Sequence, residues 1–100
     1  MSRELLDPPT GAPDGPDGSG PRVVLLTRTA CPPCARAAAT LDALGVPWRR
    51  VDVDEAAADS AAGREQRAEF GDRVPVVLLD GHEHSWGEVD VPRLQADLVD

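Results

Sequence analysis

Residues 23–34 read VVLLTRTACPPC, and this stretch decides the fold. The apolar run at 23–26 is continuous and is bounded by polar residues, which is typical of a strand buried on both faces. Beyond the second cysteine, apolar residues recur at helical spacing until a glycine and a proline end the pattern. The stretch therefore predicts a buried strand, a CPPC turn, and a helix over about residues 34–44.

The rest of the chain continues this alternation of strands and helices. The dipeptide Asp80-Gly81 predicts a tight antiparallel hairpin, and Asp90 predicts the start of a last helix. We expect Gly63 to break or start the helical region before the hairpin. The other predicted segments are a strand over 48–53, helix over 55–70, and strands over 74–79 and 82–86. The predicted order is β-α-β-α-β-β-α, an α/β fold with a four-stranded mixed sheet flanked by helices.

Composition separates a tail from this domain and restricts the partners. Residues 1–21 are rich in Pro, Gly and Asp and predict a disordered tail, which leaves 22–100 as the domain. The formal net charge is -8, and there are only three aromatic residues, which disfavours a nucleic-acid partner. No apolar run approaches the roughly 20 residues of a membrane span. We expect a cytoplasmic monomer.

The two cysteines are the residues that can carry chemistry. Cys31 is predicted at or just before a helix N-terminus, where free N–H groups and the helix dipole favour a thiolate. Such positions lower a cysteine pKa from about 8.5 to between roughly 3.5 and 7.5. Cys34 is predicted one turn later on the buried stripe. This arrangement predicts Cys31 as the nucleophile and Cys34 as the resolving thiol of a dithiol/disulfide pair.

At this point the sequence resembles the glutaredoxin family, and more narrowly the small glutaredoxin-like proteins of bacteria. The resemblance covers residues 23 to about 98. It rests on Thr27-Arg28-Thr29-Ala30 before CPPC, the VDVD strand, the EFGDRVPVVLLDG block and the short final helix. It implies a thioredoxin/glutaredoxin-like fold and a thiol-disulfide oxidoreductase or electron carrier.

The resemblance also implies roles for individual residues. The bond between Val74 and Pro75 would be cis and face the CxxC pair, and the Val74 backbone would pair with a disulfide substrate as a short added strand. Arg28 would favour the Cys31 thiolate or bind a substrate carboxylate. The substrate would be a disulfide-containing protein or a small-molecule thiol.

No bound cofactor is implied, and the thiol reductant stays open. Glutathione is one candidate, with Glu88 or Asp90 meeting its amino group. Pro33 stands where glutathione-using members often have Tyr, and thioredoxin reductase or another thiol is the alternative reductant.

A second class of function competes with redox turnover. The two cysteines together with His82 and His84 could supply the four ligands of a Cys₂His₂ zinc site. Alternatively, the cysteines would bind a partner without redox turnover. The fold implied by the resemblance places the histidines about 13 Å beyond the proline that faces the cysteines. We therefore expect them to be solvent-exposed edge residues. We expect Trp86 to pack as a core or rim residue, and no metal site.

Overall fold

The computed structural model describes residues 21–99. The predicted tail therefore lies, except for Pro21, outside the described residues. A 3₁₀ turn at Gly71–Arg73 precedes the third strand. The elements are β1 (Val23–Thr27), α1 (Pro32–Leu44), β2 (Trp48–Asp52), α2 (Val53–Asp59), α3 (Ala61–Phe70), β3 (Val76–Leu79), β4 (His82–Trp86) and α4 (Val91–Leu98).

The four strands form one mixed sheet in the order β2-β1-β3-β4. β1 pairs in parallel with β2 and antiparallel with β3, and β3 pairs antiparallel with β4. All five residues of β1 are buried, as its apolar run predicts for a central strand. The predicted fold class is confirmed.

Alternate residues of β1 serve two separate cores. Val23 and Leu25 belong to a core on the face covered by α1 and α4. Val24 and Leu26 belong to a core on the opposite face, which Val53 of α2 completes. Because strand side chains alternate between faces, a four-residue apolar run is what a sheet covered on both sides requires.

The helical region before the hairpin divides at Ser60 and not at Gly63. The Ser60 hydroxyl accepts a hydrogen bond from the Gly63 N–H at 2.9 Å and caps α3. Gly63 lies inside α3, buried where α3 approaches α2. A Cβ atom at this position would stand 1.9 Å from the carbonyl oxygen of Ala56. The glycine therefore serves the close contact between two helices and does not end one.

The hairpin forms at Asp80 and Gly81 as predicted, both with positive φ. β4 then carries an irregularity, because Leu78 pairs with Glu83 whereas Val77 pairs with Ser85. His84 is the extra residue of this bulge. Since a bulge changes which side chains face inward, His84 is buried, 8% exposed, and the prediction of an exposed His84 is wrong. His82 is exposed.

Within residues 21–99, no helix has the length and apolar character needed to cross a membrane.

Candidate functional site

The CPPC turn joins the C-terminal end of β1 to the first turn of α1. The helix begins at Pro32, two residues earlier than predicted, because proline is tolerated in a first turn whose N–H groups need no helical partner. Cys31 is the N-cap residue. Its sulfur accepts a hydrogen bond from the Cys34 N–H, with 3.3 Å between sulfur and nitrogen. The side chain of Cys31 thus sits at the positive end of the helix.

The two cysteines lie close enough to be joined as a disulfide. Their Cα atoms are 5.2 Å apart, within the range of about 4.4–6.8 Å usual for disulfides. Cys34 is 4% exposed and packs on the buried stripe of α1, whereas Cys31 is half-buried. Cys31 is therefore the more accessible of the two cysteines.

The Val74–Pro75 peptide bond is cis, as the resemblance implied. Pro75 is buried and Val74 is half-buried, and β3 begins one residue after the proline. The Pro75 carbonyl accepts a hydrogen bond from the Gly87 N–H at 2.8 Å. This bond ties the segment before β3 to the turn after β4.

A groove of about 800 Å³ opens on the β2 side of the cysteines, and we call it the β2-side groove. Both cysteines line it, with Arg28, Arg50 and Glu55 among the charged residues. Arg50 lies over the Trp48 ring, 5.6 Å from its centroid. Mixed charge therefore surrounds the cysteines on this side.

Arg28 lies in this groove but its guanidinium is bound to Asp54. Its Nε and Nη2 donate to the two carboxylate oxygens of Asp54 at 3.0 and 3.2 Å. The hydrogen bond that Arg28 donates to Asp54 is the main cause that raises the pKa of Arg28. Arg67 also approaches Asp54, at 3.5 Å. The guanidinium of Arg28 thus lies in the same groove as the cysteines, and its positive charge is already paired with the Asp54 carboxylate.

Asp52 also lines the β2-side groove. It caps α2 by accepting the N–H groups of Asp54 and Glu55 at 2.9 and 3.1 Å, and it accepts the Thr29 hydroxyl at 3.0 Å. The hydrogen bond from the Glu55 N–H is the main cause that lowers the pKa of Asp52. Its position was foreseeable, because parallel β1 and β2 end at the same edge of the sheet.

A second groove, of about 520 Å³, lies on the other side of the turn, and we call it the proline groove. It contains Pro33 from the CPPC turn together with Val74, Pro75 and Glu88. Trp86 also lines it and is 58% exposed, so of the two positions predicted for this side chain, core or rim, the core position is wrong. The β4 strand ends at Trp86, at the edge of the sheet, and the ring is left beside the groove.

Asp90, the remaining predicted site residue, lies outside the lining of both grooves. Its carboxylate caps α4 by accepting the Arg93 N–H at 3.3 Å. Sequence reasoning also missed Arg36, an exposed cation of α1 in the proline groove. The signal was available, because Arg36 lies three residues after Pro33 and so on the same helix face.

The histidines of the zinc alternative line neither groove. His84 Nε2 lies 2.8 Å from the Asp97 carboxylate, and the His84 carbonyl accepts from Arg93. Among residues 21–99, no three His, Cys, Asp or Glu side chains are grouped so that they could hold a metal ion.

Comparisons with known proteins agree with the fold described above. Residues 22–99 match the glutaredoxin-like domain family (DUF836). An uncharacterised protein of Mycobacterium tuberculosis is 52% identical over 85 residues, 81% of this chain and 86% of that protein. A glutaredoxin of Archaeoglobus fulgidus superposes with a TM-score of 0.57 at 17% identity, covering 84% of this chain and 91% of its own. The structure of a buckwheat glutaredoxin–glutathione complex superposes with a TM-score of 0.55 at 21% identity. The superposition covers 79% of this chain and 74% of the buckwheat chain.

Proposed function

The chain belongs to the glutaredoxin-like domain family, and on that premise we propose that it is a thiol-disulfide oxidoreductase or electron carrier whose Cys31 and Cys34 alternate between dithiol and disulfide. The observation that carries the proposal is the placement of the pair. One sulfur caps a helix at the surface, and the second lies beneath it within bonding distance.

Cys31 is the nucleophile of the proposed reaction. Its thiolate attacks one sulfur of the substrate disulfide, the substrate S–S bond breaks, and the first substrate thiolate leaves and takes up a proton. Two features support this role: the half-buried position of Cys31 and the hydrogen bond that its sulfur accepts from the Cys34 N–H. A charge-assisted bond of this kind favours the thiolate over the thiol.

Cys34 is the resolving residue. It loses its proton and attacks the sulfur of Cys31, so that the mixed disulfide breaks, the second substrate thiolate leaves, and the Cys31–Cys34 disulfide forms. Two electrons pass from the protein to the substrate. Burial at 4% exposure supports this order of events, because it keeps Cys34 from external disulfides until the mixed disulfide brings a target next to it.

The cycle closes when an external thiol reduces the protein disulfide. The buckwheat relative forms a glutathione complex, and Glu88 lies in the proline groove with no ion pair to any described residue, which supports glutathione as one candidate for this step. Val74 lines the same groove, and its backbone is our proposed pairing edge for the substrate. The cytoplasm, where thiol pools keep cysteine pairs reduced, suits such a cycle.

The Cys34→Ser variant tests the order of attack. Incubated with a disulfide substrate, it is expected to accumulate a mixed disulfide on Cys31, which intact mass and peptide mapping detect. Cys31→Ser is the matched control and is expected to form no adduct, since Cys34 is buried. An adduct on Cys34 alone, or no adduct in either variant, contradicts the proposal.

A further inference from the structure

The exposed face of Trp86 is unexplained by the redox step itself. Trp86 and Val99 are the large hydrophobic side chains left exposed among residues 21–99, and Val99 lies at the end of the described chain. Leaving Trp86 58% exposed forfeits the favourable free energy that removing its apolar surface from water would bring. A partner that covers Trp86 would recover this free energy.

Several neighbours of Trp86 are apolar and lie beside the CPPC turn. In the proline groove the Trp86 side chain lies with Pro33 of the CPPC turn and with Val74, whereas Pro75 is buried. Val89 and Val91 also line the groove. Scattered surface hydrophobics need no explanation, but an aromatic residue that continues an apolar surface is typical of the core of an interface.

The charges at the rim of the groove restrict the partner further. Arg73 is neutralised by Glu83, with 2.8 Å between nitrogen and oxygen. Arg36, Asp72 and Glu88 form no ion pair with any described residue, so one positive and two negative charges remain. A ligand with an excess of carboxylates meets like charge here, whereas a neutral or cationic ligand does not.

We propose that the proline groove selects a protein segment as substrate: an extended strand that pairs with Val74 and places a large apolar side chain, next to its cysteine, against Trp86. This inference rests on the proposed redox function and names its substrate class. The flanking residues of the segment are neutral or cationic. Trp86 is then the residue that determines specificity, and disulfides without an apolar side chain beside the cysteine are the poorer substrates.

Single-turnover oxidation of the reduced protein by synthetic peptides tests the inference. The peptides are symmetric disulfide dimers that differ only beside the cysteine, with Leu in one and Ser in the other, and acid quench with intact mass follows the Cys31–Cys34 disulfide. We expect the Leu peptide to react about tenfold faster, as suits an interface anchor. Trp86→Ala is expected to bring the ratio of the two rates close to one, and Trp86→Phe to retain most of it.

Val99→Ala is the matched control, because it trims the other exposed hydrophobic side chain at a position outside the groove, and it is expected to leave the ratio unchanged. An unchanged ratio in Trp86→Ala, or equal rates for the two peptides with the native protein, overturns the inference and leaves the redox function standing. If no peptide or small disulfide oxidises the pair, the proposed function itself fails.

Discussion

At the scale of single residues, the site is built from side chains that cap helices. Cys31 caps α1 with its sulfur, and Asp52 caps α2 at the neighbouring end of the sheet. Both side chains satisfy N–H groups that a helix leaves without partners. The same atoms that fix the local fold therefore line the groove beside the reacting sulfur.

Because Asp52 caps α2, we expect its truncation to alanine to destabilise the protein. Asp52→Ala removes the acceptor for two backbone N–H groups and one hydroxyl. The free energy of unfolding is expected to fall by about 1 kcal/mol, as is usual for a lost N-cap. Denaturant unfolding measures it, and Asp52→Asn, which keeps an acceptor, is the control. Equal losses in the two variants would contradict the capping role.

The lowered pKa of Asp52 predicts the direction of a pH effect. A carboxyl whose folded pKa is depressed stabilises the protein above its unfolded value and loses that contribution as pH falls through the folded pKa. The stability advantage of the native protein over Asp52→Asn is therefore expected to shrink as pH falls below about 3.8, the ordinary value. Unfolding curves across acid pH measure this. An advantage that grows on acidification would contradict the assignment.

At the scale of elements, Gly63 holds α2 and α3 together. Intrinsic helix propensity favours alanine over glycine by about 1 kcal/mol. At Gly63 the contact between the two helices outweighs this propensity. An added Cβ would stand 1.9 Å from the backbone carbonyl oxygen of Ala56, which cannot move without the rest of its helix. Gly63→Ala is expected to destabilise the protein by roughly 1–3 kcal/mol, the usual cost of overpacking, measured by thermal or denaturant unfolding.

Gly71→Ala is the matched control. Its added Cβ would meet the flexible Arg67 side chain at 3.2 Å, and the backbone there is right-handed helical. A change near zero is expected at this position. If Gly63→Ala stabilises the protein as much as propensity alone would allow, the close contact between the helices is not as described.

The elements themselves could largely be read from the sequence, whereas two details were missed. The buried run of β1 and the Asp80-Gly81 turn each have a local physical cause and were predicted correctly. The bulge at His84 depends on the pairing of β4 with β3, whereas the helix break at Ser60 has a local cause, the bond from the Gly63 N–H to the Ser60 hydroxyl. Gly63 resembles a breaker until the neighbouring helix is seen, and strand alternation fails to predict a bulge because it assumes a regular register.

At the scale of the whole molecule, two grooves meet at the CPPC turn on a chain with a formal net charge of -8. The cysteine pair was predictable from spacing alone. The proline groove was harder to predict, because Trp86 lies in the same groove as Pro33 only as a result of the pairing of β4 with β3. Long-range strand pairing, which no local pattern encodes, therefore assembles the surface on which substrate choice is proposed to depend.

The net charge predicts how reaction rates vary with salt. At low ionic strength, a peptide disulfide with cationic flanks is expected to oxidise the reduced protein faster than an otherwise identical anionic peptide, because the field of the protein steers it. The difference is expected to shrink as salt rises, since charges are screened over about 10 Å at 0.1 M. Stopped-flow Trp fluorescence or quenched mass measures the rates. A preference for anionic peptides would contradict the charge argument.

The central claim is that Cys31 and Cys34 exchange electrons as a pair, and a redox titration tests it most directly. The protein is equilibrated in glutathione buffers of graded ratio, quenched with acid, alkylated and weighed intact. The account predicts a reversible change from two alkylated thiols to one Cys31–Cys34 disulfide, with the midpoint giving the reduction potential. If both thiols stay free and are alkylated at every ratio, the pair is not redox-active and the account is contradicted.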